Sequence, residues 1–250
     1  MVSVVVPCYN HGQFLEETVD SVLKSTYQNL EIIIVDDGST DTSRQVGENL
    51  ARTYKQVQYM YQDNSGPSAA RNLGISKAVG EYILPLDADD KISANYIAEA
   101  VKQLDANKEV KVVYAEAEKF GAVNKLWKLK AFSPLQLAKD NMIYVSAFFR
   151  KSDWERVGGF TENKVLVRED WEFWIKVLKN GGKVVKLPFV GFYYRIHENS
   201  RRKSMSKAKK RLEIDYLNAQ HADFFKAQLN GPLRYNRSWS KFINFFSRKN

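Results

Sequence analysis

The chain has 250 residues, 44% of them apolar and 13% aromatic, so it is long enough and apolar enough to bury a sizeable core. Its single cysteine, Cys8, excludes an internal disulfide framework and a cysteine-rich zinc site, and it suits a reducing compartment. The N-terminus has no basic segment before an apolar one, and no apolar run reaches the roughly 18 residues of a membrane span. We therefore expect a globular, cytoplasmic protein.

The net charge of +9 is unevenly distributed along the chain. Residues 201–250 hold 13 basic and 3 acidic side chains, a net charge of +10, so residues 1–200 sum to −1. Residues 1–100 hold 7 basic and 14 acidic side chains, which is unusual for a nucleic-acid binder and compatible with a cation site. We expect no nucleic-acid partner.

Apolar runs alternate with segments of helical spacing along the first hundred residues. This pattern predicts strands at 2–6, 31–35, 57–61 and 82–86, and helices at 14–23, 42–54 and 67–78. Strands that are apolar on both faces, with helices between them, predict an α/β fold: a Rossmann-like, mostly parallel sheet flanked by helices. In such a sheet, ligands bind beyond the carboxyl ends of the strands.

A polar segment follows each of these four strands, at 7–12, 36–39, 64–67 and 87–90. Any one of them alone is more simply explained as a turn or a helix cap. Because the carboxyl ends of parallel strands meet at one edge, the four together indicate a ligand site.

Beyond residue 100 the pattern is less regular. It predicts strands at 110–115 and 145–150, a helix start at Ser133-Pro134, a short helix at 152–157 that ends at glycines, and a helix at 167–182. No repeat or low-complexity linker separates these parts, so they are expected to continue the same fold.

The segment YILPLDADDK places Asp87, Asp89 and Asp90 directly after an apolar strand. Carboxylates this close repel one another, so the segment is either a solvated turn or the site of a bound cation.

Five motifs together resemble those of the family 2 glycosyltransferases, which have the A-type glycosyltransferase fold. They are VSVVVPCYN, EIIIVDDGSTD, GPSAARNLG, LPLDADD and VREDW, in this order along residues 1–200. The resemblance implies an inverting enzyme with a nucleotide-sugar donor and a divalent metal, and leaves the sugar and the acceptor open. Residues 1–200 are then the catalytic domain, with a nucleotide-sugar half at 1–100 and an acceptor half at 101–200.

The resemblance assigns Asp87 to the ribose and Asp89 to the metal, and leaves Asp90 as a structural residue. The chemistry agrees, because Mn²⁺ or Mg²⁺ held by carboxylates neutralises the nucleoside diphosphate that departs. By the same resemblance, Asp37 accepts a hydrogen bond from a pyrimidine base, and Pro7 and Tyr9 form the wall of the base pocket. A carboxylate suits an imide N–H donor, which favours uracil or thymine over adenine and so a donor such as a UDP-sugar.

Arg71 has two interpretations. It reaches the base or the diphosphate of the donor, or it forms an ion pair with one of the aspartates.

Direct displacement also requires a carboxylate that takes the proton from the acceptor hydroxyl. Asp170 begins a predicted helix, where a favourable interaction with the helix dipole is the simpler explanation of its position. The resemblance of REDW to the acceptor-side motif of the family makes Asp170 the candidate base, with Glu169 as the alternate.

The segment YYRIHENSRR (193–202) is expected to leave the core and to close over the donor as a lid. In it, His197 is a candidate metal ligand, and Arg195 or Arg201 is a weaker phosphate partner. His11 and His221 are expected to be structural or exposed.

Residues 201–250 form a basic, aromatic tail with predicted helices. This composition is typical of segments that lie on a membrane surface, which would suit a lipid-linked acceptor and a protein at the inner face of the membrane. Docking against the body or against a partner subunit is the alternative.

Two other classes of protein fit less well. The segment PCYNHGQF lacks the glycine-rich turn that a dinucleotide-binding oxidoreductase or a sugar nucleotidyltransferase requires. An inactive nucleotide-sugar-binding protein stays open, because binding motifs can outlast chemistry. The sequence therefore predicts a glycosyltransferase of cell-surface polysaccharide synthesis that acts on a glycan or lipid-linked saccharide.

Overall fold

The computed structural model describes residues 1–197 and 206–247. Its strands are β1 (Val2–Cys8), β2 (Leu30–Asp37), β3 (Val57–Gln62), β4 (Tyr82–Pro85), β5 (Lys91–Ile92), β6 (Val110–Gly121), β7 (Lys125–Trp127), β8 (Phe149–Arg150) and β9 (Lys183–Ile196). Its helices are α1 (Gly12–Leu23), α2 (Ser43–Thr53), α3 (Pro67–Lys77), α4 (Tyr96–Ala106), α5 (Pro134–Leu137), α6 (Lys151–Val157), α7 (Glu169–Leu178), α8 (Lys207–Gln220), α9 (Ala222–Leu229) and α10 (Ser240–Ser247). A 3-10 helix at Arg237–Trp239 precedes α10.

The larger sheet has the strand order β3-β2-β1-β4-β8, and its first four strands are parallel. All eight residues of β2 are buried, which is the burial expected of a parallel strand covered on both faces. The predicted α/β fold with a mostly parallel sheet is confirmed, and the loops that follow β1 to β4 lie at its carboxyl edge.

Helix α3 lies close against the sheet because Gly74 has no side chain. A Cβ atom at Gly74 would stand 2.4 Å from Cγ1 of Val5 on β1, so a larger residue would push the helix away. This close approach fixes the position of Arg71, one turn earlier on the same helix.

A second sheet has the order β5-β9-β6-β7, and its central strands β6 and β9 are parallel. The sequence did not predict β9, because Pro188 and Gly191 interrupt its apolar pattern. The predicted strand at 145–150 is wrong in length: only Phe149–Arg150 forms a strand, antiparallel to β4.

The prediction that residues 193–202 leave the core is wrong for its first part. Tyr193–Ile196 complete β9, where they pair with β6. The rest of the predicted lid, residues 198–202 with Arg201, lies outside the described residues.

The basic tail forms helices that pack on the rest of the chain. Their apolar side chains fill a common interface, and those buried in it are Ile214, Leu217, Phe224, Phe225, Leu229 and Leu233. Within residues 1–197 and 206–247, no helix combines the length and the apolar character needed to cross a bilayer.

Candidate active site

Asp37 lies at the end of β2 and is held by the loop that follows β3. Its Oδ1 accepts hydrogen bonds from Nε2 of Gln62 at 2.6 Å and from the N–H of Ser65 at 2.8 Å. Its Oδ2 accepts one from the N–H of Gly66 at 2.9 Å. These bonds fix the buried carboxylate at the carboxyl edge of the sheet, where the predicted base pocket is expected.

The other residues of the predicted base pocket lie at the same edge. Pro7 pairs in register with Val35 of β2, and Tyr9 follows β1 with 49% of its surface exposed. Asp36 accepts a hydrogen bond from the N–H of Ser39 at 2.9 Å, so it caps the loop that follows β2.

Arg71 joins two carboxylates that lie 82 positions apart in the chain. Its guanidinium donates to Oδ1 of Asp87 and to Oε1 of Glu169, each at 2.8 Å. The arginine is only 3% exposed, whereas the side chains of Asp87 and Glu169 are 32% and 17% exposed, so the buried guanidinium meets partners that stay open to solvent. Arg71 thus forms the ion pair with an aspartate that is one of its two interpretations, and it links the donor-side loop to the start of α7.

Asp89 lies beside two histidines. Its Oδ2 stands 2.7 Å from Nε2 of His197, and the rings of His11 and His197 stack with centroids 5.9 Å apart. One potential ligand atom from each of the three residues lies within 4.8 Å of the others. Two imidazole nitrogens and a carboxylate oxygen form a donor set that fits a divalent transition-metal ion such as Mn²⁺.

Asp90 occupies a different environment from its neighbours. Its Oδ1 accepts a hydrogen bond from the N–H of Arg195 at 2.8 Å, and the residue is 1% exposed. Burial, together with the charges of Asp89 and Asp87, raises the pKa of Asp90 well above its usual value. The guanidinium of Arg195 donates to the backbone carbonyl of Asp89, so Arg195 supports the metal-side loop.

Asp170 is placed at the first turn of α7 by two hydrogen bonds. Its Oδ2 accepts from Nδ2 of Asn141 at 2.7 Å, and its Oδ1 accepts from the N–H of Trp171 at 2.8 Å. Burial, and next the negative charge of Glu169, raises the pKa of Asp170 to about 7. A carboxylate with this pKa can exchange a proton near neutral pH.

A cavity of about 270 Å³ lies between the Arg71–Asp87 pair and the start of α7. It is lined by residues of both halves of the chain, including Arg71, Asp87, Trp127, Tyr144, Glu169 and Asp170. The structure thus brings the candidate base and the candidate ribose ligand to one cavity, although they come from distant parts of the sequence.

The sequence analysis did not assign three residues to the site that the structure places there. His11 was expected to be structural or exposed, but it lies with Asp89 and His197. Asn141 holds Asp170, and Glu213 of the tail accepts hydrogen bonds from the N–H groups of Val167 and Arg168 just before α7.

Of these three residues, only His11 could have been identified from the sequence, because it follows a strand whose carboxyl end lies at the site. His221, also expected to be structural or exposed, is buried and pairs with Glu172 at 2.9 Å.

Two relatives of this chain bear glycosyltransferase names. GlyG of Streptococcus pneumoniae is 47% identical over 105 residues, which are 42% of this chain and 35% of GlyG. TuaG of Bacillus subtilis, named for teichuronic acid biosynthesis, is 28% identical over 233 residues, which are 91% of each chain.

Solved structures of the same fold cover nearly the whole chain. TarS of S. aureus in complex with UDP-GlcNAc has a TM-score of 0.76 at 21% identity, over 99% of this chain and 75% of that one. The mannosyltransferase PcManGT from Pyrobaculum calidifontis, in complex with GDP-Man and Mn²⁺, has a TM-score of 0.66 at 21% identity, over 98% of this chain and 71% of that one. At such identities the likeness shows the fold alone.

The model of the family Glycosyl transferase family 2 matches residues 3–170, a range that includes both Asp89 and Asp170. The match covers most of the chain and includes both sides of the cavity. The protein therefore belongs to glycosyl transferase family 2.

Proposed function

We propose that the protein transfers a sugar from a UDP-sugar to a hydroxyl group of a saccharide acceptor, with inversion at the anomeric carbon. The observation that carries this proposal is Asp170, a carboxylate with a pKa of about 7 on the wall of the cavity that Asp87 and Arg71 also line. A base at this position faces the space that a donor sugar and an acceptor would share.

The surroundings of Asp37 support uracil as the base. A carboxylate offers about four lone-pair positions, and the three protein hydrogen bonds occupy two on Oδ1 and one on Oδ2. The remaining position on Oδ2 suits the imide N–H of uracil. Pro7 and the exposed Tyr9 supply apolar surface for the ring, and TarS, which shares the fold, binds UDP-GlcNAc.

Asp89, His197 and His11 are the residues that would hold the divalent metal. A bound cation supplies neutralisation of the charge on the departing diphosphate. Mg²⁺ prefers oxygen ligands and water, whereas imidazole nitrogen is a better ligand for transition metals, so this donor set favours Mn²⁺ over Mg²⁺. PcManGT, with the same fold, was solved with Mn²⁺.

Side chains of this protein can take up the proton that the acceptor hydroxyl loses. As the acceptor oxygen forms its bond to the anomeric carbon, the bond from that carbon to the diphosphate oxygen breaks, and the hydroxyl proton moves to Asp170. Asn141 orients the carboxylate through Oδ2, and Arg71 holds Glu169 away from the proton by pairing with it. Attack from the face opposite the leaving group inverts the anomeric configuration.

The acceptor is a glycan or lipid-linked saccharide of cell-surface polysaccharide synthesis. Support for this class comes from TuaG, whose name refers to teichuronic acid and whose sequence aligns along most of this chain. The surface formed by α10 and the 3-10 helix before it suits contact with a membrane, because Trp239, Phe242, Phe245 and Phe246 each expose more than half of their surface beside basic residues.

The test compares Asp170→Asn with Glu169→Gln. Asp170→Asn keeps the size of the side chain but cannot take a proton, so transfer should fall by roughly 10²–10⁴ while UDP affinity, measured by calorimetry with Mn²⁺, is unchanged.

In the unaltered protein, transfer at subsaturating acceptor should rise about tenfold between pH 6 and pH 8, because the deprotonated fraction of a group with a pKa of about 7 rises by that factor.

Glu169→Gln supplies the control for this assignment. Removing the negative charge of Glu169 lowers the pKa of Asp170, so the rise in activity should move to lower pH while the plateau stays high. If Asp170→Asn stays active and Glu169→Gln does not, Glu169 is the base. If UDP binds but no donor sugar is transferred or hydrolysed at any pH, the protein is an inactive nucleotide-sugar-binding protein.

A further inference from the structure

A second cavity, of about 340 Å³, adjoins the active-site cavity, because Asp140 lines both. We call it the basic cavity. Its charged lining consists of four basic residues and one acidic residue, Lys130, Lys139, Lys210, Arg237 and Asp140. The formal charge of this lining is therefore +3.

The acidic member of the lining is already neutralised. Asp140 Oδ1 accepts a hydrogen bond from Arg237 at 2.5 Å and stands 3.6 Å from Nη1 of Arg168. Within residues 1–197 and 206–247, Lys130 and Lys139 make no ion pair, and the ammonium of Lys210 stands over the ring of Tyr235, 5.1 Å from its centroid. The lysines thus present positive charge that the described residues do not compensate.

The basic cavity is connected to the transfer site through the chain itself. Asp140 precedes Asn141, whose side chain donates to Asp170. A molecule that fills both cavities would therefore extend past the candidate base and reach the lysines with its other end. The donor side of the site, with Asp37 at the end of β2 and Asp89 in the loop after β4, does not line the basic cavity.

We propose that the basic cavity binds a phosphate or diphosphate group of the acceptor, an inference that rests on the proposed function. Lysine ammonium groups bind phosphate as point charges, and a lining of +3 matches a diphosphate better than a single carboxylate. The acceptor class is then a phosphorylated saccharide, whose hydroxyl lies at Asp170 and whose phosphate lies among Lys130, Lys139 and Lys210.

The experiment uses inorganic diphosphate as the probe, titrated calorimetrically into the full chain with EDTA present so that no metal draws the probe to the donor site. The cavity variant is Lys130→Ala with Lys139→Ala. The matched control is Lys125→Ala with Lys128→Ala, which removes the same charge from the same segment but outside the cavity. Diphosphate affinity should fall roughly tenfold in the cavity variant, as loss of two ion pairs predicts, and stay unchanged in the control.

Binding of UDP with Mn²⁺, measured on the same proteins, separates this proposal from the proposed function. It should be equal in all three, because none of the four lysines lies at the donor loops. Failure of UDP to bind would overturn the proposed donor, while the diphosphate titration would still report on the basic cavity. Equal diphosphate affinity in all three proteins, or no binding to the unaltered chain, overturns the assignment of the basic cavity.

Two further probes test the chemistry and the source of the anion. Glucuronate, a carboxylate sugar, should bind much more weakly than diphosphate, and equal binding would overturn the choice of phosphate. Vesicles of phosphatidylglycerol test the lipid headgroup as the source. If vesicle binding requires Lys130 and Lys139 while soluble diphosphate does not bind, the basic cavity contacts the membrane surface and the acceptor assignment is overturned.

Discussion

Glu213, on the first tail helix α8, is expected to control the position of the candidate base. Its carboxylate is fully buried and accepts hydrogen bonds from the N–H groups of Val167 and Arg168 at 3.1 and 3.0 Å. The guanidinium of Arg168 also donates to it through two nitrogens. These contacts hold the segment that leads into α7, so Glu213→Ala removes the anchor of the turn that carries Asp170.

The size of the effect follows from the contacts that Glu213→Ala would break. The variant leaves the guanidinium of Arg168, 11% exposed, with Asp140 at 3.6 Å as its remaining carboxylate partner among the described residues. Breaking a buried ion pair costs about 3–5 kcal/mol. At roughly 2–4 °C per kcal/mol for a chain of this size, the melting temperature should fall by about 6–20 °C.

The catalytic effect should exceed the effect on donor binding. A displacement of a catalytic group by about 1 Å can cost roughly 10²-fold in rate, so transfer should fall by about that factor at a temperature where the variant is still folded. UDP affinity should change little, since the donor loops follow β1 to β4.

The control is Asp215→Ala, an exposed carboxylate two residues further along the same helix. Both its stability and its activity should match those of the unaltered protein. If Glu213→Ala is less stable but transfers sugar at the normal rate when folded, Glu213 supports the fold without positioning the base, and this reasoning is refuted.

Two more predictions concern the metal and the tail. His197→Ala should raise the Mn²⁺ concentration needed for half-maximal UDP binding by about tenfold or more, with little change in the weaker response to Mg²⁺; an unchanged Mn²⁺ requirement would remove His197 from the ligand set. Trp239→Ser with Phe242→Ser should abolish flotation with anionic liposomes, because it removes apolar surface from α10 and from the 3-10 helix before it. The control, Tyr61→Ser with Val79→Ser, changes exposed apolar residues elsewhere and should float normally; equal flotation of all forms would exclude α10 as the contact.

The parallel sheet could be predicted because its signal is local. Each of β1 to β4 is a short apolar run followed by a polar segment, and the pattern repeats often enough to define both the fold and its carboxyl edge. The strand β9 gave no such signal, since its pairing with β6 is interrupted by register shifts and its own sequence contains Pro188 and Gly191. Its stability comes from tertiary contacts rather than from a pattern within the segment.

On the donor side, the candidate site was predictable because its residues end or follow strands, whereas Asp170, at the start of α7, was predicted only through the resemblance of its motif. Asp37, Asp87 and Asp89 each follow a strand of the larger sheet, so sequence position alone brings them to one edge. Arg71 shows the limit of this argument. Its two interpretations have the same sequence signature, and the pairing with Glu169, 98 residues away, depends on how α3 and α7 pack.

The amino-acid composition of the tail correctly predicts its charge, but it does not predict the role of Glu213. Its excess of basic residues suggests a surface segment, and the exposed aromatic residues of α10 agree with that description. Yet the most consequential residue of the tail is an acid, Glu213, because a buried carboxylate is tolerated only where donors surround it, and here those donors belong to the segment that leads into α7. Since that segment leads directly to Asp170, Glu213 holds the start of α7 through Arg168, and we therefore expect a change to Glu213 to alter the position of the candidate base.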